Sequence, residues 1–307
     1  MKTNIDYQSL LEEIHAEVRP LIGQGKVADY IPPLAGRSPQ HFGMSLRTID
    51  GNSYSVGEAH ERFSIQSIAK VFNLTRAMQL EGDDVWKRVG REPSGAAFNS
   101  LGQLENEHGI PRNPMINAGA LVVMDIILNH TDTGEDLILD IVRDLAMEPS
   151  IDYDLVVAEA EHETGHRNRA SAWLLKTYDN LDNPVERVLQ AYFRLCSLSM
   201  SCAELATAFH YLAAAGTSAS GAVVASERQV KRINSVMLTC GVYDEAGDYA
   251  YRVGLPAKSG VGGGIVAVMP GEYIVTVWSP GLSEKGNSLV GTKALELLTT
   301  KTQSSIF

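Results

Sequence analysis

Strand-like runs occur at only two places in this chain, one near each end, and everything between them reads as helix. The first runs from Phe42 to Ile49, turns at Asp50-Gly51 and returns from Tyr54 to Gly57, the pattern of a hairpin. The second comprises Arg252 to Ser259, Gly264 to Met269 and Tyr273 to Trp278, separated by Gly-Val-Gly-Gly-Gly and by Pro270-Gly271. It reads as an antiparallel meander. Apolar spacing predicts helices over 6–22 (stopping at Gly23) and 287–301 at the ends. In the middle it predicts helices near 67–80, 117–129, 135–147, 152–164, 168–178, 185–198 and 201–214, with Ser201 and Glu204 as a capping box. A further helix near 226–239 starts at Ser226 and stops at Gly241. No strand is expected between the hairpin and about residue 215. The glycines and paired prolines of Gly23 to Leu34 predict an irregular, shaped loop.

The economical fold is α+β: an antiparallel sheet of about five strands drawn from both chain ends, flanked by the terminal helices, with a large helical lobe inserted. Residues 1–66 with 222–307 then form a discontinuous sheet subdomain and 67–221 a helical one, in one domain overall. A net charge of −11 disfavours nucleic-acid and anionic-membrane partners, which need a basic surface. Met1 to Tyr7 lacks the apolar core of a signal peptide, and no apolar run is long enough to span a bilayer. Cys196, Cys202 and Cys240 are odd in number and lack metal-type spacing, so they read as reduced thiols, and the location expected is the cytoplasm.

Chemistry enters at Phe63-Ser64-Ile65-Gln66-Ser67-Ile68-Ala69-Lys70. Ser67 and Lys70, three apart, share one helix face, and a neutral amine there can take the proton of a serine hydroxyl. This is the Ser-x-x-Lys pattern of acyl-transferring serine enzymes. Alone it is weak, since a match arises by chance about once per 300 residues, and a polar helix start with a solvated lysine is then the better explanation. The returning chain adds Lys258-Ser259-Gly260 on a strand that can run beside the serine helix, and the two motifs in this order strengthen each other.

Longer stretches carry a resemblance. Gly-Lys-Val-Ala-Asp-Tyr-Ile-Pro (25–32), Phe-Ser-Ile-Gln-Ser (63–67), Pro-Arg-Asn-Pro-Met-Ile-Asn-Ala-Gly-Ala (111–120) and Gly-Leu-Pro-Ala-Lys-Ser-Gly-Val-Gly-Gly-Gly (254–264) resemble the serine-dependent glutaminase family. The resemblance covers nearly the whole chain. It implies a serine β-lactamase-like fold and hydrolysis of L-glutamine to L-glutamate and ammonia, with no cofactor and a homodimer or homotetramer as the assembly. It also implies Ser67 as nucleophile and Lys70 as base, with Lys258 and a tyrosine assisting. Asn117, Glu161, Asn168, Tyr192 and Tyr243 would line the pocket, Tyr30 would close it, and the N–H groups of Ser67 and Val261 would form the oxyanion hole. Tyr243 is preferred to the nearby Tyr249 and Tyr251 because it lies just past the helix stop, in Cys240-Gly241-Val242-Tyr243. Which tyrosine relays the proton to ammonia stays open.

The residues themselves support parts of this chemistry. Amide hydrolysis needs a nucleophile, a proton route and oxyanion donors, and the glycines around Val261 allow close backbone approach. Lys70 is expected to be neutral at rest, through burial and the charge of Lys258. Glu161 can balance the substrate ammonium, and stands seven residues from Asn168, on the same side if the helix is continuous. Without the resemblance, Glu161 reads as part of a solvated charged face, Asn117 as an N-cap, and the tyrosines as ordinary half-buried aromatics.

Three rivals remain. His162-Glu163-Thr164-Gly165-His166 is a literal His-Glu-x-x-His, with Glu186 as a third possible zinc ligand, but Gly165 weakens the helix where ligands need rigidity. A penicillin-recognising or β-lactamase-type acyl transferase shares Ser-x-x-Lys and Lys-Ser-Gly, but a clear Ser-Asp-Asn element is missing. A catalytically dead binding module on the same fold is the non-enzymatic alternative.

Overall fold

The structure is a computed structural model that describes residues 5–95, 100–131 and 137–307. From the N-terminus, helix α1 (Tyr7–Val18) is capped by Asp6, and a single turn α2 (Pro32–Ala35) interrupts the early loop. Strands β1 (Gly43–Thr48), β2 (Ser53–Gly57) and β3 (Phe63–Ser64) follow, then a 3-10 turn over Gln66–Ala69 that runs into α3 (Lys70–Glu81). The lobe continues with α4 (Leu101–Asn106), α5 (Asn117–Leu128), α6 (Leu137–Ala146), β4 (Asp152–Tyr153), α7 (Leu155–Thr164), α8 (His166–Thr177) and α9 (Val185–Cys196). After β5 (Leu198–Met200) come α10 (Cys202–Ala208), α11 (His210–Ala213), α12 (Glu227–Cys240) and α13 (Ala246–Arg252). The chain ends with β6 (Ala257–Ser259), β7 (Gly264–Met269), β8 (Tyr273–Trp278) and α14 (Leu289–Thr302).

Five strands form one antiparallel sheet in the order β2-β1-β8-β7-β6, so both chain ends do contribute. Successive side chains face opposite sides. Met44, Leu46, Ile265, Ala267, Val275 and Val277 pack with Leu11, Ile14, Leu295 and Leu298 of the terminal helices. Val266, Val268, Ile274 and Trp278 pack into the core of the helical lobe on the other face. Burial on both faces is why β7 is continuously apolar rather than alternating. The capping boxes at Ser201/Glu204 and Ser226/Gln229 are formed. Among the described residues no helix is long and apolar enough to cross a membrane.

Four expectations need correction. A second, three-stranded sheet (β3-β5-β4) lies between the hairpin and residue 215, made of pieces too short to show any period. The strand expected from Arg252 begins only at Ala257. Residues 246–252 hold no β-branched side chain and form α13, where Arg252 pairs with Asp248 one turn back and with Glu296. The early loop contains a helical turn because proline at the first helical position needs no N–H partner. The helix expected over 152–164 opens as strand β4 and starts only after Asp154, whose carboxylate accepts from Val156 and Val157. The expected helix 135–147 begins outside the described residues, and its described part is α6.

Asp125, fully buried on α5, fixes the lobe under the site. Its carboxylate accepts from Arg88 Nη2 (2.6 Å) and from the backbone N–H groups of Asp182 (2.9 Å) and Asn183 (2.8 Å). Asp125→Ala leaves two amides without their acceptor and removes one partner of Arg88, which keeps Asp182 and Asn180, and should lower unfolding stability by about 2–4 kcal/mol in urea titrations. A loss below about 1 kcal/mol would mean the network contributes little.

Candidate active site

The serine segment leaves β3 through a backbone twist. Gln66 adopts φ +51°, a left-handed conformation that a non-glycine residue holds only when its surroundings enforce it. Ser67 follows in the 3-10 turn rather than in an α-helix as expected. Side chains three apart eclipse in a 3-10 turn, which puts Ser67 and Lys70 on one side of the chain. Ser67 keeps 8% exposure, at the floor of a cavity of about 500 Å3.

The walls come from separate parts of the chain. Tyr30 and Ile31 stand at the mouth, Asn117 begins α5, Glu161 and Asn168 come from α7 and α8, and Tyr192 from α9. Val261 closes the side opposite, on the Gly260–Gly264 turn. Glycine is required there by close packing. A Cβ on Gly260 would meet the Ile65 carbonyl at 2.5 Å, and one on Gly262 the Ser64 carbonyl at 2.2 Å. The turn therefore lies against the serine segment, bringing the Val261 backbone beside Ser67.

Lys70, Lys258 and Tyr243 stand behind this wall. Lys70 is 1% exposed, and its amine donates to Asn117 Oδ1 (2.6 Å) and the Met115 carbonyl (3.2 Å). Asn117 in turn donates to Asn168 Oδ1 (2.9 Å), so it is spent on the site rather than on a helix cap; the cap position is Ile116. Lys258, fully buried, donates to the Gly241 (2.8 Å) and Ser259 (2.5 Å) carbonyls and sits 4.5 Å from the Tyr243 ring centre. Tyr249 is buried within the sheet core and Tyr251 is 90% exposed.

Burial dominates the titration of all these groups. It lowers Lys70 to about 8, partly opposed by the negative charge of Glu161. The repulsion expected from Lys258 is expressed the other way. Lys258 is pushed well below its usual value, first by burial and then by Lys70. The Lys70 amine is thus moved toward the neutral form expected of it, with both protonation states within reach near neutral pH. Burial raises Glu161 to about 7 against the pull of Gln66 and Lys70, and raises Tyr243 to about 12 against the Ser67 hydroxyl. Burial likewise pushes the Cys196 thiol up to about 12, so this cavity-lining cysteine is no nucleophile.

Glu161 is 8% exposed despite its charged neighbours, so the solvated-face reading fails. Its helix is not continuous with that of Asn168: Gly165 separates α7 from α8, and a Cβ there would meet the Glu161 carbonyl at 2.5 Å. The break also places His162 and His166 on different helices. Among the described residues no three His, Cys, Asp or Glu side chains gather as a metal site, Glu186 included. Gln66, Cys196, Thr164 and Arg167 line the cavity without having been anticipated; nothing in their local sequence distinguishes them.

A family model described as Glutaminase matches residues 25–307. A glutaminase of Shewanella amazonensis is 54% identical over 301 residues, covering 98% of this chain and 99% of its own. The chain belongs to the glutaminase family. A glutaminase of Ralstonia nicotianae is also 54% identical, with 99% of this chain and all of that one covered. Among solved structures, the probable glutaminase ybaS superposes with a TM-score of 0.93 at 36% identity, covering 98% and 97% of the two chains. A probable glutaminase from Bacillus subtilis, complexed with 6-diazo-5-oxo-L-norleucine, gives 0.89 at 30% identity, with 99% and 98% covered. The α+β fold of this glutaminase is accordingly the serine β-lactamase-like one.

In this glutaminase the Asn117 oxygen is the side-chain acceptor for the buried Lys70 amine. Asn117→Ala should destabilise the fold by about 1–3 kcal/mol at pH 7. The cost should shrink above the Lys70 value of about 8, because a neutral amine needs the acceptor less. Urea unfolding at pH 7 and 9.5 checks this; an equal loss at both would show that the ammonium is not what Asn117 stabilises.

Proposed function

We propose that this glutaminase hydrolyses L-glutamine through an acyl-enzyme on Ser67, with Lys70 as general base. The observation that carries this reading is the placement of Ser67 on the cavity floor, one 3-10 turn before a wholly buried amine whose value is lowered to about 8. The free amine of Lys70 takes the Ser67 proton as the hydroxyl oxygen attacks the side-chain amide carbon. The backbone N–H groups of Ser67 and Val261 receive the oxyanion. Collapse expels ammonia, its proton delivered from the Lys70 ammonium or by way of the Tyr243 phenol, which Ser67 faces. Water then attacks the acyl carbon with Lys70 again as base, releasing L-glutamate.

Glu161 opposes the substrate ammonium, and the amides of Asn117 and Asn168 with the Tyr192 hydroxyl hold its carboxylate. Tyr30, half exposed at the mouth, covers the bound amino acid. The Lys258 amine, 4.5 Å from the Tyr243 ring centre, stands beside the phenol as a second amine of the proton route. All these groups belong to one chain, so a homodimer or homotetramer would carry one such site per subunit. The location proposed is the cytoplasm.

Two measurements test the reading. Incubation with 6-diazo-5-oxo-L-norleucine should leave a covalent adduct on the Ser67 peptide by mass spectrometry, and Ser67→Ala should show neither adduct nor ammonia release. Ammonia release by Ser67→Ala above about one-hundredth of the wild-type rate would overturn the acyl-enzyme. In the pH profile, kcat/KM should fall as pH drops through 8 and then 7, approaching a slope of two, because Lys70 and Glu161 must both be deprotonated. Glu161→Gln removes one ionisation and the negative charge that raises Lys70. Its limb should have a slope of one and lie at lower pH, at reduced amplitude; an unchanged limb would rule Glu161 out.

A further inference from the structure

Trp278 closes β8 at 1% exposure, far too buried to touch substrate, yet its ring is held on both faces and its one donor is aimed at the active site. Phe63 lies parallel to the indole at 5.0 Å between centroids and 2° between planes. His41 stacks on it as well, at 4.9 Å and 19°, and is itself bonded through Nδ1 to the Glu58 carboxylate (2.8 Å). The indole Nε1–H donates to the Gly262 carbonyl at 3.0 Å.

Both partners matter for position. Phe63 begins the segment that ends at Ser67, and its ring fills the place where a Cβ on Gly264 would stand, 2.6 Å away. Gly262 belongs to the turn that carries Val261, and Trp278 makes the one side-chain hydrogen bond to that turn among the described residues. Backbone bonds also hold the turn, Gly263 to Gly260 (2.9 Å), Gly260 to Gly264 (2.9 Å) and Ser279 to Gly263 (3.0 Å), and Gly264 is paired with Trp278 in the β7–β8 ladder. With four glycines in five residues the turn has little stiffness of its own.

We propose that Trp278 is a positioning residue for the oxyanion hole: clamped between Phe63 and His41, it ties the Gly262 carbonyl to the serine segment and so fixes the Val261 N–H relative to Ser67. This rests on the acyl-enzyme reading above. An oxyanion donor acts on the transition state far more than on bound substrate, so its displacement lowers kcat and leaves KM nearly alone. A residue that only supported the fold would instead lower the fraction of active molecules.

The test is Trp278→Phe, which keeps a stacked ring and removes the N–H. Active sites are counted by covalent titration with 6-diazo-5-oxo-L-norleucine, and kcat is expressed per titrated site. The expected result is a fall in kcat of about 10- to 100-fold, part of the loss seen when an oxyanion donor is deleted, with KM within about threefold. A kcat per site within about twofold of wild type overturns the proposal. Should Trp278→Phe give no cooperative melt, His41→Ala decides: it frees one face of the indole from a surface position. A two- to fivefold lower kcat per site, roughly, supports the clamp, and an unchanged one overturns it. Ser67→Ala separates the two levels. If it stays active, the acyl-enzyme reading fails first; if it is dead while both clamp variants behave as wild type, only the positioning role fails.

Discussion

A lysine amine taken wholly out of water is the constraint around which this molecule is arranged. Moving an ammonium into a protein interior is penalised by several kcal/mol unless acceptors meet it, and α5 begins where it does because Asn117 and the Met115 carbonyl supply them. Asn117 is then tied to Asn168, which draws the start of α8 to the same place. Burial remains the larger influence, holding the amine near 8 rather than 10.5. The group is thereby left within reach of both protonation states near neutrality, as a proton shuttle requires.

The second lysine is what two buried amines in one neighbourhood must produce. They cannot both be charged cheaply, and the asymmetry falls on Lys258, whose partners are the Gly241 and Ser259 carbonyls and which has no carboxylate opposing it as Glu161 opposes Lys70. Lys70 keeps the higher affinity for the proton. In the proposed mechanism the base role falls to Lys70 by position, one 3-10 turn from Ser67, while Lys258 is spent on the Gly241 and Ser259 carbonyls.

What the sequence reveals follows from how each feature is encoded. The five-strand sheet was legible because Ile265 to Met269 and Tyr273 to Trp278 are long runs bounded by glycine and proline. Ser67 and Lys70 could be singled out because a fixed spacing ties them together, and the structure brings Ser67 to the cavity and buries Lys70 one turn on. The strands β3, β4 and β5 were not legible, since two or three residues cannot display a period, and they pair only because the lobe folds them together. Glu161 was misread by its own neighbours: Glu159 and Glu163 face outward while the residue between them turns in, a distinction fixed by the Gly165 break and α9 behind it. Arg167 reaches the cavity through tertiary placement, whereas Gln66 comes with Ser67 as its neighbour in the chain.

Backbone strain marks the same places. Gln66 at φ +51° and Tyr243 at φ +54° flank the Ser67 hydroxyl from the two chain ends, each at a cost of about 1–3 kcal/mol. Neither could persist in a flexible loop. Gln66 is held by its amide on Ser64 Oγ (3.0 Å), itself fixed to the Cys196 carbonyl (3.1 Å). The segment around Tyr243 is held by Asn287, which donates to the Val242 carbonyl (3.0 Å). The polar ties that enforce strain at the serine come from the helical lobe, and those at the tyrosine from the C-terminal segment. The reacting centre is thus rigid only when both halves of the chain have closed around it. That explains why a site with so few charged groups draws on residues from 30 to 261.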